Sequence, residues 1–207
     1  MQLDEQCGRR GPAGFAGDVQ LRVDVRQVPL DGSPPGLPGG YAVPSELPIH
    51  TELLRHRPEI QAVVHAHPPS VVTADLAGLA LRPVVGAYNI PATRLALGGV
   101  PVYPRGVLIR RAELAAEMAA AMGDAPACVL RGHGVTTTGA SVAQAVLSAI
   151  NLESLARVML GVARAGGQPT DLPDEDIAEL PDLGATLNEQ YLWQHHLARL
   201  EHAGLAV

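Results

Sequence analysis

The sequence predicts an α/β domain in which short buried strands alternate with helices. Residues 62–66 and 127–130 are apolar runs of strand length, and proline or glycine follows soon after each run. Ser141 and Gln144 form a capping box at the start of the longest helical pattern, which continues to Gly166. Strands that alternate with helices favour a layered architecture in which helices pack on the faces of a sheet.

The length of the chain, 207 residues, is sufficient for one domain with a sizeable core, which we place at residues 18–207. Residues 1–17 are polar and glycine-rich, and we expect this segment to be disordered. Apolar and polar residues alternate over 19–26, which predicts a half-buried strand. The proline- and glycine-rich run 31–40 predicts a loop, and 41–43 an extended segment.

Proline and glycine also bound the next two elements. We expect a helix over 46–57 that Ser45 caps and Pro58 ends, just before the first of the two buried strands. Beyond that strand, a second helix is expected over 70–80, with Gly78 near its end.

The middle of the chain is less regular. Residues 84–102 have a mixed pattern, in which Gly98-Gly99 separates what we interpret as strand pieces. An alanine-rich helix is expected over 112–122, ending at Gly123. The segment 135–138 is either a continuation or a partner of the strand that ends at residue 130.

The C-terminal third is mainly helical in pattern. The helix that starts at the capping box carries a broad apolar face. Residues 169–181 are acidic and loop-like with one helical turn, and a last helix is expected over 188–200, where Tyr191 lies.

Composition and charge argue against several classes of protein. The net charge is −6, and the basic pairs at 9–10 and 110–111 are too few for a nucleic-acid-binding surface. No uninterrupted apolar run approaches the roughly 20 residues of a membrane span, and the N-terminus lacks the apolar region of a secretory signal. Cys7 and Cys128 lie in unrelated contexts, which predicts a reducing, cytoplasmic setting.

One missing residue type restricts the chemistry further. All 15 basic residues are arginine, so the chain contains no lysine. Schiff-base aldolases, pyridoxal-phosphate enzymes and P-loop proteins all need a lysine side chain. Carbon–carbon bond chemistry in this chain would therefore have to use a metal.

Three histidines are candidate metal ligands. His65 and His67 are two residues apart in a strand pattern, so their side chains lie on the same face. Glycines on both sides of His133 allow a sharp turn and a close approach to a ligand. Three imidazoles with open coordination positions are typical of catalytic zinc. The alternative for the first pair is two hydrogen-bonded histidines at the end of a strand.

Glu46 is the candidate acid/base. It opens the helix before the histidine strand, where the helix dipole favours a negative charge. In isolation, a glutamate here is more often a simple helix-start charge. His50 lies one turn later on the same face and either orients Glu46 or packs in the core.

In order along the chain, Ser-Glu-Leu-Pro-x-His from Ser45, His-x-His-Pro from His65 and Gly-His-Gly from Gly132 resemble the class II aldolase/adducin family. The resemblance covers about residues 31–166 and extends more weakly to Trp193. It implies a three-layer α/β/α sandwich that forms a homotetramer with sites at subunit boundaries. It also implies a divalent metal, zinc before manganese or iron(II).

The same resemblance implies roles for individual residues. It makes His65, His67 and His133 the metal ligands, and Glu46 the acid/base and an additional ligand when no substrate is bound. Tyr191 is similar to a C-terminal aromatic that family members offer across a subunit boundary, where it would contact substrate. Arg131, beside the Gly-His-Gly motif, is the candidate that would bind a substrate carboxylate bidentately, with a surface arginine as the alternative.

The expected activity is carbon–carbon bond cleavage in a small hydroxy-carbonyl compound or dihydroxyaromatic acid. The metal chelates adjacent oxygens and stabilises the electron pair left by cleavage as an enediolate, while Glu46 moves the proton. The group lost is an aldehyde in a retro-aldol reaction and carbon dioxide in a decarboxylation.

Departures from the family's aldolase pattern favour a carboxylate substrate. Phosphosugar members have a Gly-Asn-x-Ser loop and a second serine before the glutamate, whereas this chain has no such loop and has Pro44 at the second position. The N-terminal part of the family's domain is therefore expected to be shortened or replaced. The alternatives are a phosphosugar aldolase, a non-haem iron oxygenase and a non-catalytic adducin-like interaction module.

Overall fold

The structure is a computed structural model, and it describes residues 27–30 and 43–205. The expectations for the disordered segment 1–17, the strand over 19–26 and the loop over 31–40 therefore concern residues outside the described part, and so do residues 41 and 42 of the extended segment over 41–43.

Seven α-helices and four strands make up the described part of the chain. The helices are α1 Leu47–His56, α2 Pro69–Leu76, α3 Ile90–Leu95, α4 Ala112–Met122, α5 Val142–Arg164, α6 Asp174–Glu179 and α7 Leu192–His202. The strands are β1 Ala62–Ala66, β2 Val102–Tyr103, β3 Ala127–Leu130 and β4 Gly134–Gly139. A π-helical turn, Thr186–Tyr191, leads directly into α7.

The four strands form one mixed sheet in the order β1-β4-β3-β2. β4 is antiparallel to both β1 and β3, and β2 is parallel to β3. The segment over 135–138 is thus the antiparallel partner of β3, which decides between the two alternatives in the sequence. The pairing of Ala66 with Val135 brings the end of β1 beside the start of β4.

Helices cover both faces of the sheet. Because successive strand residues point to opposite faces, Cys128 and Leu130 of β3 enter one apolar core and Ala127 and Val129 the other. The first core includes residues of α1 and α4, and the second includes residues of α2, α3 and α5. This arrangement is the three-layer α/β/α sandwich that the family resemblance implied.

The capping box starts α5 as expected. Ser141 Oγ accepts a hydrogen bond from the Gln144 amide at 3.0 Å, and Gln144 Oε1 accepts one from the Ala140 amide at 2.7 Å. By length and composition alone, the 23 residues of α5 are long and apolar enough to cross a membrane, although polar residues interrupt the apolar run in the sequence. Leu152 and Leu155 are nevertheless fully buried in the second core, which makes α5 a core helix.

The interpretation of residues 84–102 as strand pieces was wrong, except for the last residue, which begins β2. α3 occupies much of this region, because the Asn89 side chain accepts a hydrogen bond from the Ala92 amide at 3.1 Å and Pro91 lies in the first turn. The two glycines at 98–99 have positive φ angles of 72° and 85°, so they form a turn before β2.

The sequence predicted Ser45 as the N-cap of α1, but the helix begins one residue later than this prediction requires. The N-cap of α1 is Glu46, and no side chain makes a capping hydrogen bond there. Pro48 lies in the first turn, as expected. The Glu46 carboxylate is consequently available for contacts outside its own helix.

Candidate active site

Four side chains from three separate parts of the fold converge at one end of the sheet. Glu46 precedes α1, His65 lies on β1 with His67 just after it, and His133 lies in the turn between β3 and β4. One potential ligand atom from each of the four lies within 4.8 Å of the others. The structure therefore brings together all four residues that the motifs singled out.

The closest approaches in this cluster involve carboxylate and imidazole groups. Glu46 Oε2 lies 3.2 Å from His65 Nε2 and 3.3 Å from His133 Nε2. His65 Nε2 and His67 Nε2 are 3.0 Å apart. The Glu46 and His65 side chains are each only 11% exposed, so the cluster is largely shielded from solvent.

Backbone geometry around His133 explains the two glycines of the motif. Gly132 has a positive φ of 59°, a conformation that residues with a Cβ atom rarely adopt. A Cβ atom on Gly134 would lie 2.3 Å from the Ala66 carbonyl oxygen and 2.8 Å from His67 Cδ2. The second glycine thus allows β4 to approach the end of β1, which sets the histidines side by side.

The donor set fits a divalent cation. His65 Nδ1 lies 3.1 Å from the Val135 carbonyl oxygen, which can only accept, so Nδ1 is the donor and Nε2 is the atom that the neutral imidazole can offer to a metal. His133 Nδ1 is buried with no hydrogen-bond partner among the described residues, and His133 Nε2, also buried, faces Glu46 Oε2 at 3.3 Å. Buried imidazole nitrogens without partners are costly unless a ligand satisfies them. The cluster is therefore suited to a divalent metal.

Glu46 is held in its ionised form. Burial by itself raises the pKa of this carboxyl, but the neighbouring imidazoles of His133 and His65 and the Ile109 backbone amide outweigh it and hold the pKa well below its ordinary value. The Ile109 amide donates to Oε1 at 2.8 Å, while Oε2 faces the imidazoles. One carboxylate oxygen is thus fixed by backbone and the other is directed into the site.

His50 packs beside this cluster as a neutral histidine. Burial is the main cause that lowers its pKa, and the neighbouring His65 lowers it further. His50 lies in α1, one turn beyond Glu46. Both interpretations of His50 thus remain compatible with its position.

The two predicted substrate-binding residues lie in different surroundings. Arg131 is half-exposed at the edge of the site, and its Nε lies 3.2 Å from Asp75 Oδ1. Tyr191 is 63% exposed in the π-helical turn. Arg131 is therefore next to the histidine turn, and Tyr191 lies on an exposed turn before α7.

Two largely shielded carboxylates that hold backbone near the histidines were missed by sequence reasoning. The Asp75 side chain is 6% exposed, and its Oδ2 accepts a hydrogen bond from the Gly132 amide at 2.7 Å. Glu153 accepts hydrogen bonds from the Ser70 amide and hydroxyl at 2.8 and 2.7 Å, at the start of α2. Both contacts join residues more than 50 positions apart, so no local pattern announces them.

Comparison with known proteins identifies the class to which this fold and site belong. Residues 17–160 match the family described as Class II Aldolase and Adducin N-terminal domain. The chain therefore belongs to this family, as the three motifs implied.

The relatives define the chain further. It is 62% identical over 197 residues to a 3,4-dihydroxyphthalate decarboxylase of Arthrobacter keyseri, a match that covers 94% of this chain and 79% of that protein. It is 51% identical over 212 residues to the protein of the same name from Terrabacter sp. strain DBF63, with 90% and 89% covered.

A solved structure of an L-fuculose 1-phosphate aldolase superposes with a TM-score of 0.58 at 25% identity. That match covers 69% of this chain and 64% of the aldolase, so the chain spans less than two thirds of that protein's length. Together, family and relatives make this chain a divalent-metal-dependent carbon–carbon lyase that acts on a small molecule, and not a non-catalytic module.

Proposed function

We propose that this protein is a decarboxylase of a dihydroxyphthalate, an aromatic ring that carries two adjacent carboxylates and two adjacent hydroxyls. The observation that carries the proposal is 62% identity to a 3,4-dihydroxyphthalate decarboxylase over 94% of this chain. The Glu46–histidine cluster supplies donors of the type that such a reaction needs. Pro44, in place of the second serine of phosphosugar members, also favours a carboxylate over a phosphorylated substrate.

His65, His67 and His133 would hold the metal, and zinc suits a site of three imidazoles with open positions. When bound there, a divalent cation supplies a Lewis acid for adjacent substrate oxygens. Manganese or iron(II) are the alternatives, because imidazoles with a carboxylate also bind these ions. The hydrogen bond from His65 Nδ1 to the Val135 carbonyl holds the imidazole with Nε2 directed at the cluster.

Glu46 would move the proton. As a carboxylate, it can accept the proton of a substrate hydroxyl and then return it to the ring carbon that carries the leaving carboxylate. The bond between that ring carbon and the carboxylate carbon breaks, and carbon dioxide leaves. The electron pair of the broken bond returns to the ring and restores its aromaticity. The resulting phenolate takes up a proton from solvent. The Ile109 amide fixes Oε1 at 2.8 Å, which leaves Oε2 for this transfer.

Arg131 and Tyr191 would bind the substrate. Asp75 holds the Arg131 guanidinium at its Nε, and the half-exposed end of the side chain can receive a carboxylate. Tyr191 would act from a neighbouring chain of a homotetramer, since its side chain is exposed on its own chain. We infer a cytoplasmic location from the unrelated contexts of Cys7 and Cys128, which suit a reducing compartment.

A substrate panel tests the proposed activity. The protein, loaded separately with zinc, manganese and iron(II), is assayed for carbon dioxide release from 3,4-dihydroxyphthalate and for aldehyde release from phosphosugars. We expect carbon dioxide and one dihydroxybenzoate from the first substrate, and no aldehyde from the phosphosugars. Aldehyde release alone would support a phosphosugar aldolase, and oxygen consumption with ring opening would support an iron oxygenase.

The substitution Glu46→Gln tests the proton transfer. The amide oxygen of glutamine can still accept the Ile109 hydrogen bond, so the fold and most of the bound metal should persist. Decarboxylation should fall roughly 10²–10⁴-fold, the usual contribution of a positioned acid or base. Glu52→Gln is the matched control on the same helix, and it should retain turnover. Turnover by Glu46→Gln within a few-fold of the wild type would show that Glu46 is only a helix-start charge.

Metal analysis tests the ligand set. One equivalent of divalent metal should bind the purified wild type, and His67→Ala should lose most of it. His56→Ala is the control, because that imidazole is 60% exposed at the end of α1. Undiminished metal in His67→Ala would remove this residue from the ligand set.

A further inference from the structure

A pocket of about 710 Å³ is lined by residues on both sides of Ile109 in the chain. Its lining consists of three arginines and three aliphatic residues: Arg105, Val107, Leu108, Arg110, Arg111 and Leu114. This volume is within the range of small-molecule sites, about 300–1,000 Å³. Aliphatic walls with guanidinium groups suit a ligand that is apolar on its faces and anionic at its edge.

The pocket and the proton carrier share one short stretch of backbone. Leu108 and Arg110 line the pocket, and Ile109 between them donates its amide hydrogen to Glu46 Oε1 at 2.8 Å. Ile109 itself is fully buried, which anchors this segment in the core. The pocket lining is therefore joined to Glu46 through one short, firmly held backbone segment.

The charge of the pocket is only partly compensated. Arg105 pairs with Glu117 at 2.8 Å. No ion pair engages Arg110 or Arg111 within residues 27–30 and 43–205 that the structure describes. Both are exposed, and the whole chain carries a net charge of −6, so this concentration of positive charge is local. Guanidinium groups bind carboxylates with two parallel hydrogen bonds.

The proposed substrate has one carboxylate that needs such a partner. Of its two carboxylates, one leaves as carbon dioxide, and it lies next to a hydroxyl. The other stays on the product, on the side of the ring away from the hydroxyls. We propose that the arginine pocket binds this retained carboxylate, with Arg110 and Arg111 as its partners and Leu108 against the ring. This inference rests on the proposed function and extends it to the specificity of the site.

A comparison of two substrates tests the inference. 2,3-Dihydroxybenzoate has the leaving carboxylate and both hydroxyls of 3,4-dihydroxyphthalate, but it lacks the retained carboxylate. For each variant, the ratio of kcat/KM for the dicarboxylate to kcat/KM for the monocarboxylate is measured. Arg110→Gln and Arg111→Gln should each lower this ratio roughly 10- to 100-fold, as expected for loss of a charged hydrogen bond. Arg164→Gln, an exposed arginine at the end of α5, should leave the ratio unchanged.

Direct binding gives a readout that needs no turnover. Calorimetry on the metal-loaded protein compares 3,4-dihydroxybenzoate, which has the retained carboxylate, with catechol, which has none. The wild type should bind 3,4-dihydroxybenzoate at least 10-fold more tightly, and Arg110→Gln should abolish most of that difference. Arg110→Lys, which keeps the charge without the fork of donors, should restore part of it.

The failures of the two proposals are distinguishable. If 3,4-dihydroxyphthalate is not decarboxylated, the proposed function fails, and the binding comparison still decides whether the pocket takes a carboxylate. If the wild type decarboxylates both substrates but neither arginine variant changes their ratio more than two-fold, the pocket inference is overturned while the function stands. Tight binding of 3,4-dihydroxybenzoate that depends on Arg110, with an unchanged ratio, would also overturn it, because the site would then be separate from catalysis.

Discussion

Replacing Gly134 by alanine tests whether the close approach of β1 and β4 holds the histidines together. The added Cβ would lie 2.3 Å from the Ala66 carbonyl oxygen, 3.2 Å from the Ala66 carbonyl carbon and 2.8 Å from His67 Cδ2. Even a favourable carbon–oxygen contact needs about 3.3 Å. All three of these atoms belong to backbone or to a proposed metal ligand, so the added methyl group has no flexible side chain to displace.

The cost can be worked from that geometry. The strands must separate by about 1 Å at this end, since 2.3 Å is that much shorter than an ordinary contact. Overpacking of this kind costs about 1–3 kcal/mol, and a ladder hydrogen bond lost with it adds about 1 kcal/mol. We therefore expect Gly134→Ala to lower the free energy of unfolding by about 2–4 kcal/mol. For a chain of this size, that corresponds to a fall in Tm of about 4–16 °C.

The matched control is the same substitution in α5. A Cβ on Gly161 has no atom within 4 Å, and this glycine lies inside a helix, so Gly161→Ala should stabilise the protein by about 0.5–1 kcal/mol. Urea unfolding of the metal-free proteins measures both changes, and metal titration follows on the folded variants. Gly134→Ala should also bind metal more weakly, because His67 and His133 must move. If Gly134→Ala unfolds within 0.5 kcal/mol of the wild type and binds metal equally well, the close approach does not position the histidines.

Three other predictions follow from the structure. Asp75→Ala removes the acceptor for the Gly132 amide, so metal affinity should fall roughly 10-fold. Asp75→Asn keeps an acceptor and should lose less affinity. A metal titration that finds the wild type and both variants equal would contradict this prediction. Burial raises the pKa of the Cys128 thiol to about 11, so in a Cys7→Ser protein it should remain protonated and unreactive toward a disulfide reagent at pH 8, and react only when urea unfolds the chain. Light scattering should give about four times the chain mass of 21.6 kDa, and a monomer at micromolar concentration would refute the tetramer.

Elements with their determinants close in sequence were predicted well. The helix over 112–122 and the strand over 127–130 have the predicted bounds, because Gly123 ends the first and the second is a continuous apolar run. The Ser141 capping box behaved as its sequence indicated. Helix α3 was not predicted. Asn89 and Pro91 determine its start, whereas the glycines at 98–99 favoured an interpretation as strand pieces.

The residues of the candidate site that belong to motifs were predictable, and those that depend on contacts between distant parts of the sequence were not. The sequence indicated that Glu46 and the three histidines belong together, and the fold brings them within 4.8 Å; their roles remain predictions. Neither the Asp75 contact to Gly132 nor the Glu153 contact to Ser70 has a local signature, since each joins side chain and backbone from different elements. Such partners become visible only when the sheet pairing is known.

The pairing of β1 with β4 also bears on how the molecule folds. His65 and the carbonyl of Val135 that fixes it are 70 residues apart in sequence, so the intervening chain must be synthesised and its ends closed into a loop before these groups meet. Contacts of such long range form slowly, because the entropy of closure is lost before the contacts are gained. An ion held by His65, His67 and His133 would then bind only in an almost completed fold. Such an ion would slow unfolding and leave the folding rate nearly unchanged, so its effect would be a longer-lived folded state rather than faster folding.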